Sequence, residues 1–129
     1  MVISMSNSLT GNIQILNTKE ERDKSGLLGK KILLANSITE VFRVRSGALH
    51  CNSNLNITND SNEQASLRIW VSLNKSPGLI DLVESNIDIA SKSTFIRTNF
   101  IMCPDEAVFI LSNKDNVIVR IDGYVNGKM

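Results

Sequence analysis

The residues of this chain best suited to nucleophilic chemistry are its single histidine, His50, and the adjacent cysteine, Cys51. A histidine beside a cysteine can generate a thiolate nucleophile, provided that the two side chains converge. The alternating stretch 49–58 predicts a β-strand, and neighbouring residues of a strand point to opposite faces of a sheet. The pair is therefore not expected to form a catalytic dyad. His50 also lacks neighbouring ligands at the spacing of a metal site.

The carboxylates are the second group of residues that could carry out a reaction. General acid–base catalysis requires two of them to converge in a cleft. In this chain they are spread over predicted loops and strand ends, at Asp81, Glu84, Asp88, Asp105, Glu106, Asp115 and Asp122. The sequence contains no glycine-rich phosphate loop, zinc-binding HExxH, GxSxG or calcium loop. We therefore expect a protein that is not an enzyme and that binds no cofactor or metal.

A small enzyme is the alternative to this expectation. It predicts that at least one carboxyl group has a strongly raised pKa because it is buried in a cleft. The candidates are Asp81, Asp88, Asp105 and Asp122.

Trp70 is the only tryptophan, and in an alternating strand it projects from the face opposite Ile69 and Val71. An indole on an outer face can anchor a partner, stack on a sugar or be covered by another segment. Because sugar platforms generally use several aromatic residues and this chain has few, partner contact or cover by the N-terminal arm is favoured. The residues expected to contact partners are Ile13, Ile15, Leu27, Leu28, Trp70, Asn74 and Pro77.

Composition narrows the possible partners. The formal net charge of +1 gives no reason to expect nucleic acid or an anionic membrane as a partner. No apolar run is long enough to span a bilayer, and the N-terminus does not have the pattern of a signal peptide. Cys51 and Cys103 form no CxxC or Cys/His cluster, so we predict two buried free thiols in a reducing compartment.

Two segments differ in their patterns. Residues 1–29 are polar and of mixed charge, with short apolar patches at no sustained period, which predicts an N-terminal arm that is extended or partly helical. From residue 30 to 129, strand-like runs separated by polar turns predict a single all-β domain. These runs are 32–35, 38–45, 49–58, 65–73, 93–102, 107–111 and 117–125. The ambiguous segment 79–90 predicts a short helical turn or bent loop that leads into a strand.

Alternation within the runs assigns an apolar face to each predicted sheet. The apolar positions of two runs are Leu49, Cys51, Leu55 and Ile57, and Val117, Val119 and Ile121. Two sheets that stack such faces form a sandwich, so we predict an antiparallel β-sandwich of jelly-roll or immunoglobulin-like topology. The runs on either side of the polar hinge 59–64 are expected to pair within one sheet, with the hinge at its rim.

Two stretches carry a family resemblance. The first, "ILLANSITEVFRVRSGALHCNSNLNITNDSNEQASLRIWVS" (32–72), has a strand ending near Val44, a turn at Arg45-Ser46-Gly47, a strand leading to Asn59 and an alternating apolar strand. The second, "FIMCPDEAVFILSNKDNVIVRIDGYV" (100–125), has an acidic turn with proline followed by two apolar strands. This pattern resembles the small β-sandwich structural proteins of tailed-phage virions.

The resemblance implies a virion part, namely a head decoration, neck or collar, or tail component that is assembled in the host cytoplasm. Such a protein binds copies of itself or other virion proteins. A rigid sandwich with a long arm fits this role, since repeated contacts in a ring or lattice offset the cost of ordering the arm. The alternative is a carbohydrate- or receptor-binding sandwich, which predicts a solvent-exposed Trp70.

Overall fold

The computed structural model describes residues 26–127, which form two antiparallel four-stranded sheets. The strands are β1 (Leu27–Leu33), β2 (Thr39–Arg43), β3 (Ala48–Asn59), β4 (Ala65–Ser72), β5 (Leu82–Ile89), β6 (Ser93–Met102), β7 (Ala107–Ser112) and β8 (Val117–Gly127). A 3-10 turn at Leu79–Asp81 precedes β5, as the pattern of the segment 79–90 predicts. None of the helical structure in this part of the chain has the length and apolarity required to cross a membrane.

The order of the strands defines the topology. Sheet 1 has the order β1-β8-β3-β6, and sheet 2 has the order β2-β7-β4-β5. Every connection between the described strands passes from one sheet to the other, except the one between β4 and β5, which are neighbours in sheet 2. This is the strand order of a jelly roll. The predicted antiparallel sandwich is confirmed, and the topology is the jelly roll rather than the immunoglobulin-like arrangement.

The hinge 59–64 joins the two sheets, because β3 belongs to sheet 1 and β4 to sheet 2. The predicted pairing of its flanking runs within one sheet is therefore wrong. Asn59, at the end of β3, is fully buried, and its Nδ2 donates hydrogen bonds to the carbonyl oxygens of Ile89 (2.9 Å) and Glu63 (2.8 Å). Asn59 thus ties the end of β5 in sheet 2 to the end of β3 in sheet 1.

The core lies between the facing sides of the two sheets. Its fully buried residues include Leu33, Leu55, Ile57, Leu67, Ile69, Ile110, Val117, Val119 and Ile121. Most of the predicted apolar positions are confirmed by this set, but Leu49 is 67% exposed. The reason is a bulge, since β3 has one extra residue between Ala48 and His50 where it pairs with β8. An extra residue inverts the alternation of side chains.

The first strand begins at Leu27, so the boundary predicted after Gly29 falls inside β1 and is corrected to an earlier position. Leu27 and Leu28, which the sequence assigns to the arm, belong to this strand, and Leu28 packs against the core. The strand is hard to predict because a bulge at Leu28 breaks its period and a glycine follows. Ile13, Ile15 and the rest of the predicted arm up to residue 25 lie outside the described residues.

Candidate docking surface

His50 and Cys51 do not come together. His50 is exposed, with its Nε2 3.0 Å from Nδ2 of Asn126, whereas Cys51 is fully buried in the core. Burial raises the pKa of the Cys51 thiol to about 11, against a smaller opposing effect of the hydrogen bond with Ser53. The thiol is therefore protonated at neutral pH and is a poor nucleophile. Cys103 is also a free thiol, but it is exposed, which corrects the prediction that both cysteines are buried.

The four acids of the enzyme alternative each have a separate partner. Asp81 accepts a hydrogen bond from the amide of Gly78 (2.9 Å), and Asp88 accepts one from Oγ of Ser66 (2.6 Å). Asp105 accepts a hydrogen bond from Oγ of Ser46, and Asp122 accepts one from Nε of Arg120. Within residues 26–127, no group of three or more His, Cys, Asp or Glu side chains is placed to hold a metal ion.

Trp70 lies on the outer face of sheet 2, opposite to Ile69, as the alternation predicts. It is nevertheless only 7% exposed. The pairing of β4 with β7 places it beside Phe109, and Leu82 and Leu111 pack against the pair. The prediction of Trp70 as a surface contact is therefore corrected. Alternation indicates the face of a sheet on which a side chain lies, but not what covers that face.

The segment 73–81, which we call the rim loop, carries the most exposed aliphatic side chains of the described chain. It joins β4 to β5 at one end of the sandwich. Leu73 is 63% exposed, Leu79 83% and Ile80 95%. Single exposed leucines are common, but Leu79 and Ile80 are adjacent in the chain and have the highest exposure of the large hydrophobic residues in the described range 26–127. We call this pair the apolar patch, and such patches mark interaction sites.

Arg43 anchors the rim loop to the sandwich. From the end of β2, its Nη1 donates hydrogen bonds to the carbonyl oxygens of Leu73 (3.1 Å) and Asp105 (2.7 Å). Its Nη2 donates to the carbonyl oxygen of Asn74 (3.1 Å) and to the carboxylate of Glu40 (2.9 Å). A guanidinium group with several donors in a fixed plane suits such multiple contacts. Arg43 thus connects the rim loop to the neighbouring turn between β6 and β7.

Two hydrogen bonds between residues close in sequence fix the conformation of the rim loop. The amide of Asn74 donates to Oγ of the buried Ser72 (3.0 Å). At the other end, Asp81 accepts a hydrogen bond from the Gly78 amide, which closes the 3-10 turn that displays Leu79 and Ile80. The apolar patch is therefore held on an ordered backbone.

The sequence prediction found only part of this surface. Asn74 and Pro77 do lie on the rim loop, where Asn74 is exposed and Pro77 is half-buried. Leu79 and Ile80 were not predicted as contact residues, because the helical turn or bent loop predicted for the segment 79–90 was considered only as a lead into a strand. The available signal was the apolar pair directly after Pro77-Gly78, since a proline-glycine turn at a rim leaves the next side chains outside the sheet.

No protein-family model matches this chain, and no characterised protein matches it in sequence.

Proposed function

We propose that the protein is a non-enzymatic structural component of a tailed-phage virion. It assembles with copies of itself or with other capsid, neck or tail proteins, in the role of a head decoration, collar or tail part. The rim loop is its main contact surface, and the N-terminal segment contributes a second contact. The observation that carries this proposal is the exposure of Leu79 and Ile80 on an anchored loop.

The ordered backbone of the rim loop favours a docking role over a loop that is apolar by accident. Binding costs less free energy when the contact residues are already held in one conformation. Arg43 and Asp81 provide this order through hydrogen bonds to main-chain groups of the loop. Full burial of an exposed aliphatic side chain is favourable by about 1.5–3 kcal/mol in transfer free energy, and the costs of association are subtracted from this gain.

The edges of the sheets argue for docking through loops and faces rather than through strand addition. Each of the four edge strands, β1, β2, β5 and β6, has one or more extra residues relative to its partner strand. Bulges twist an edge and interrupt its row of free hydrogen-bonding groups, so such edges resist pairing with another chain. Association through the edge strands is therefore not expected, and another surface of the protein must form the contact.

The alternative, a carbohydrate- or receptor-binding module, relied on an exposed indole. Trp70 is 7% exposed and lies against Phe109, so it does not offer a stacking platform for a sugar ring. The rim loop supports the assembly role instead, since aliphatic side chains bury well against protein.

The first experiment measures the solution mass of the full-length protein by light scattering over a range of concentrations. We expect a closed oligomer or concentration-dependent association. The variant Leu79→Ser/Ile80→Ser should lose this association. The matched control is Leu34→Ser/Ile38→Ser, which removes two aliphatic residues of 65% and 52% exposure outside the rim loop and should leave the mass unchanged.

A deletion tests the second contact. It should end at residue 25, because a deletion through Gly29 removes the first three residues of β1. We expect the shortened chain to remain folded and to associate more weakly. If the wild-type chain is a monomer at every concentration, self-assembly is rejected. Mass spectrometry of purified particles then tests the virion role, and the absence of the chain from those particles contradicts it.

A further inference from the structure

The outer face of sheet 1 carries a row of three asparagines. Asn52, Asn54 and Asn56 occupy alternate positions of β3, and the residues between them are buried. β3 is an inner strand of the sheet, since it pairs with β8 on one side and with β6 on the other. Asparagine is disfavoured in strands, because its side chain competes for backbone hydrogen bonds. The stability of the sheet therefore does not account for this row.

Tyr124, the only tyrosine of the chain, lies beside the row. It is 63% exposed and is paired with Asn52 between β8 and β3. On the other side of Asn52, β6 carries Ile101, which is 62% exposed. Neighbouring strands are about 5 Å apart, so an aromatic ring, an amide and an aliphatic side chain lie side by side. We call these three residues, with Asn54 and Asn56, the amide face.

Most hydrogen-bonding groups of the amide face are not used within residues 26–127. In that range the side chains of Asn52, Asn56 and Tyr124 form no hydrogen bond, and Asn54 accepts one, from the amide of Asn99 (3.3 Å). Each asparagine side chain has two donors on its nitrogen and two lone pairs on its oxygen. The face therefore presents donors and acceptors at neighbouring points of an ordered sheet.

The amide face is close to electrically neutral. β3 contains no Asp, Glu, Lys or Arg. The two charged residues of β8, Arg120 and Asp122, pair with each other, with 2.9 Å between Nε and Oδ1. A phosphate group or a nucleic acid would require a cluster of unpaired basic side chains. The ligand that suits this face is uncharged and rich in groups that both donate and accept hydrogen bonds.

We propose that the amide face binds a neutral carbohydrate. The C–H groups of a sugar ring form an apolar surface that can stack on the Tyr124 ring. The hydroxyl groups of the sugar both donate and accept, as do the amides of Asn52 and Asn54. Rigid tyrosine rings with adaptable asparagine amides are also the combination found in many binding surfaces. An apolar protein surface at this position would leave the amides unpaired, which is unfavourable.

This inference goes beyond the proposed function, because it concerns a different surface from the rim loop and a different class of ligand. Trp70 takes no part in it, since Trp70 is buried on sheet 2. A single stacking ring on an open face predicts weak binding, so the assay must detect millimolar affinities.

NMR titration of the full-length protein meets this requirement. The probes are oligosaccharides of glucose, galactose, mannose and N-acetylglucosamine, each added to millimolar concentrations. We expect at least one of them to shift the side-chain amide signals of Asn52 and Asn54 saturably. We also expect nuclear Overhauser effects between its C–H protons and the Tyr124 ring, whose signals are those of the only tyrosine. The absence of such shifts with all four sugars would overturn the inference.

Variants test the role of each group in the amide face. Tyr124→Ala should abolish measurable binding, whereas Tyr124→Phe keeps the stacking ring and should still bind. Asn52→Ala should weaken binding by about two- to tenfold, the effect of one hydrogen bond. The matched control is Asn86→Ala, which removes an exposed asparagine from β5 in sheet 2 and should leave binding unchanged. Circular dichroism verifies folding, and wild-type affinity in folded Tyr124→Ala would reject the site.

The same measurements separate this inference from the proposed function. The variant Leu79→Ser/Ile80→Ser should bind the sugar with the affinity of the wild type, because the rim loop is not part of the amide face. A dilution series without sugar is the second control. If the signals of Asn52 and Asn54 move on dilution and not with sugar, the face is a protein contact and the carbohydrate site is rejected, while assembly remains supported.

Discussion

The substitution Asn59→Asp tests how the two sheets are joined. Asn59 is fully buried at the end of β3, and its Nδ2 donates to the carbonyl oxygens of Ile89 and Glu63 at 2.9 and 2.8 Å. Its Oδ1 accepts a hydrogen bond from the amide of Ser61 at 3.0 Å. Aspartate has nearly the same shape, so this substitution changes the hydrogen bonds without creating a cavity. It replaces the donating amide with a carboxylate oxygen that faces the carbonyl oxygens of Ile89, Glu63 and Ala90.

The expected loss of stability is large. A buried polar group left without its partner costs about 1–3 kcal/mol. The Ile89 carbonyl loses the Asn59 donor, whereas the Glu63 carbonyl can still accept a hydrogen bond from the hydroxyl of Ser61 (2.8 Å). An ionised carboxylate at this site adds a desolvation cost. We therefore expect the free energy of unfolding to fall by at least about 2 kcal/mol, a substantial part of the roughly 5–15 kcal/mol typical of a domain.

The destabilisation by Asn59→Asp should increase as the pH rises. Burial and the facing carbonyl oxygens raise the pKa of the introduced carboxyl group in the folded state above its value in the unfolded chain. As the pH rises, the unfolded state loses its proton first, so the destabilisation grows and is complete above the folded-state pKa. In acid, the protonated carboxyl group can donate to one carbonyl oxygen, and the loss is smallest.

Urea unfolding followed by circular dichroism at neutral and acidic pH measures both effects. The control is Asn54→Asp in the same strand, because the Asn54 side chain is exposed and accepts a hydrogen bond from the amide of Asn99 that a carboxylate can also accept. We expect the control to change stability by less than about 0.5 kcal/mol. An Asn59→Asp variant as stable as this control would refute the role assigned to Asn59.

Three further predictions follow from other parts of the structure. Gly123→Ala should lower the free energy of unfolding by more than about 2 kcal/mol in a thermal melt, since Gly123 has φ of 151° and a Cβ there would lie 2.2 Å from the carbonyl oxygen of Asn52. Arg43→Lys should speed amide hydrogen exchange in the rim loop and leave the exchange rates of β3 unchanged, because lysine cannot reproduce the two-pronged donation of the guanidinium group to the carbonyl oxygens of Leu73 and Asn74. Rim-loop exchange rates equal to those of the wild type would contradict the anchoring role. A thiol reagent at neutral pH should label Cys103 and not Cys51, whose pKa is about 11, and labelling of both in the folded protein would show that the core opens readily.

Local patterns were enough to predict most of the strands and the two-layer architecture, but not the first strand, β1. The alternation at Val117, Val119 and Ile121 is a property of neighbouring residues, and those side chains are all in the core. The prediction failed where the backbone departs from regular pairing. Leu49 lies at a bulge, and Leu28 lies at another, so in both places the period of two breaks and the assignment of faces fails with it.

Local sequence patterns do not predict which distant strands pair, or which side chains bury the outer face of a sheet. The hinge 59–64 has the composition of a hairpin turn, yet the chain crosses between sheets there because Asn59 bonds to the end of β5. The burial of Trp70 depends on Phe109, which is distant in sequence. The order of the rim loop likewise depends on a residue distant in sequence, because Arg43 donates a hydrogen bond to the carbonyl oxygen of Leu73.

Arg43 connects the rim loop to the aromatic pair Trp70 and Phe109 on the outer face of sheet 2. Its guanidinium group donates to the carbonyl oxygens of Leu73 and Asn74 in the rim loop, and its central carbon lies 5.9 Å from the centre of the Phe109 ring. Contacts on both sides restrict the rotamers of Arg43, and a restricted anchor keeps the rim loop in one conformation. In the proposed function, a loop held in this way presents Leu79 and Ile80 to a partner at a smaller cost in conformational entropy.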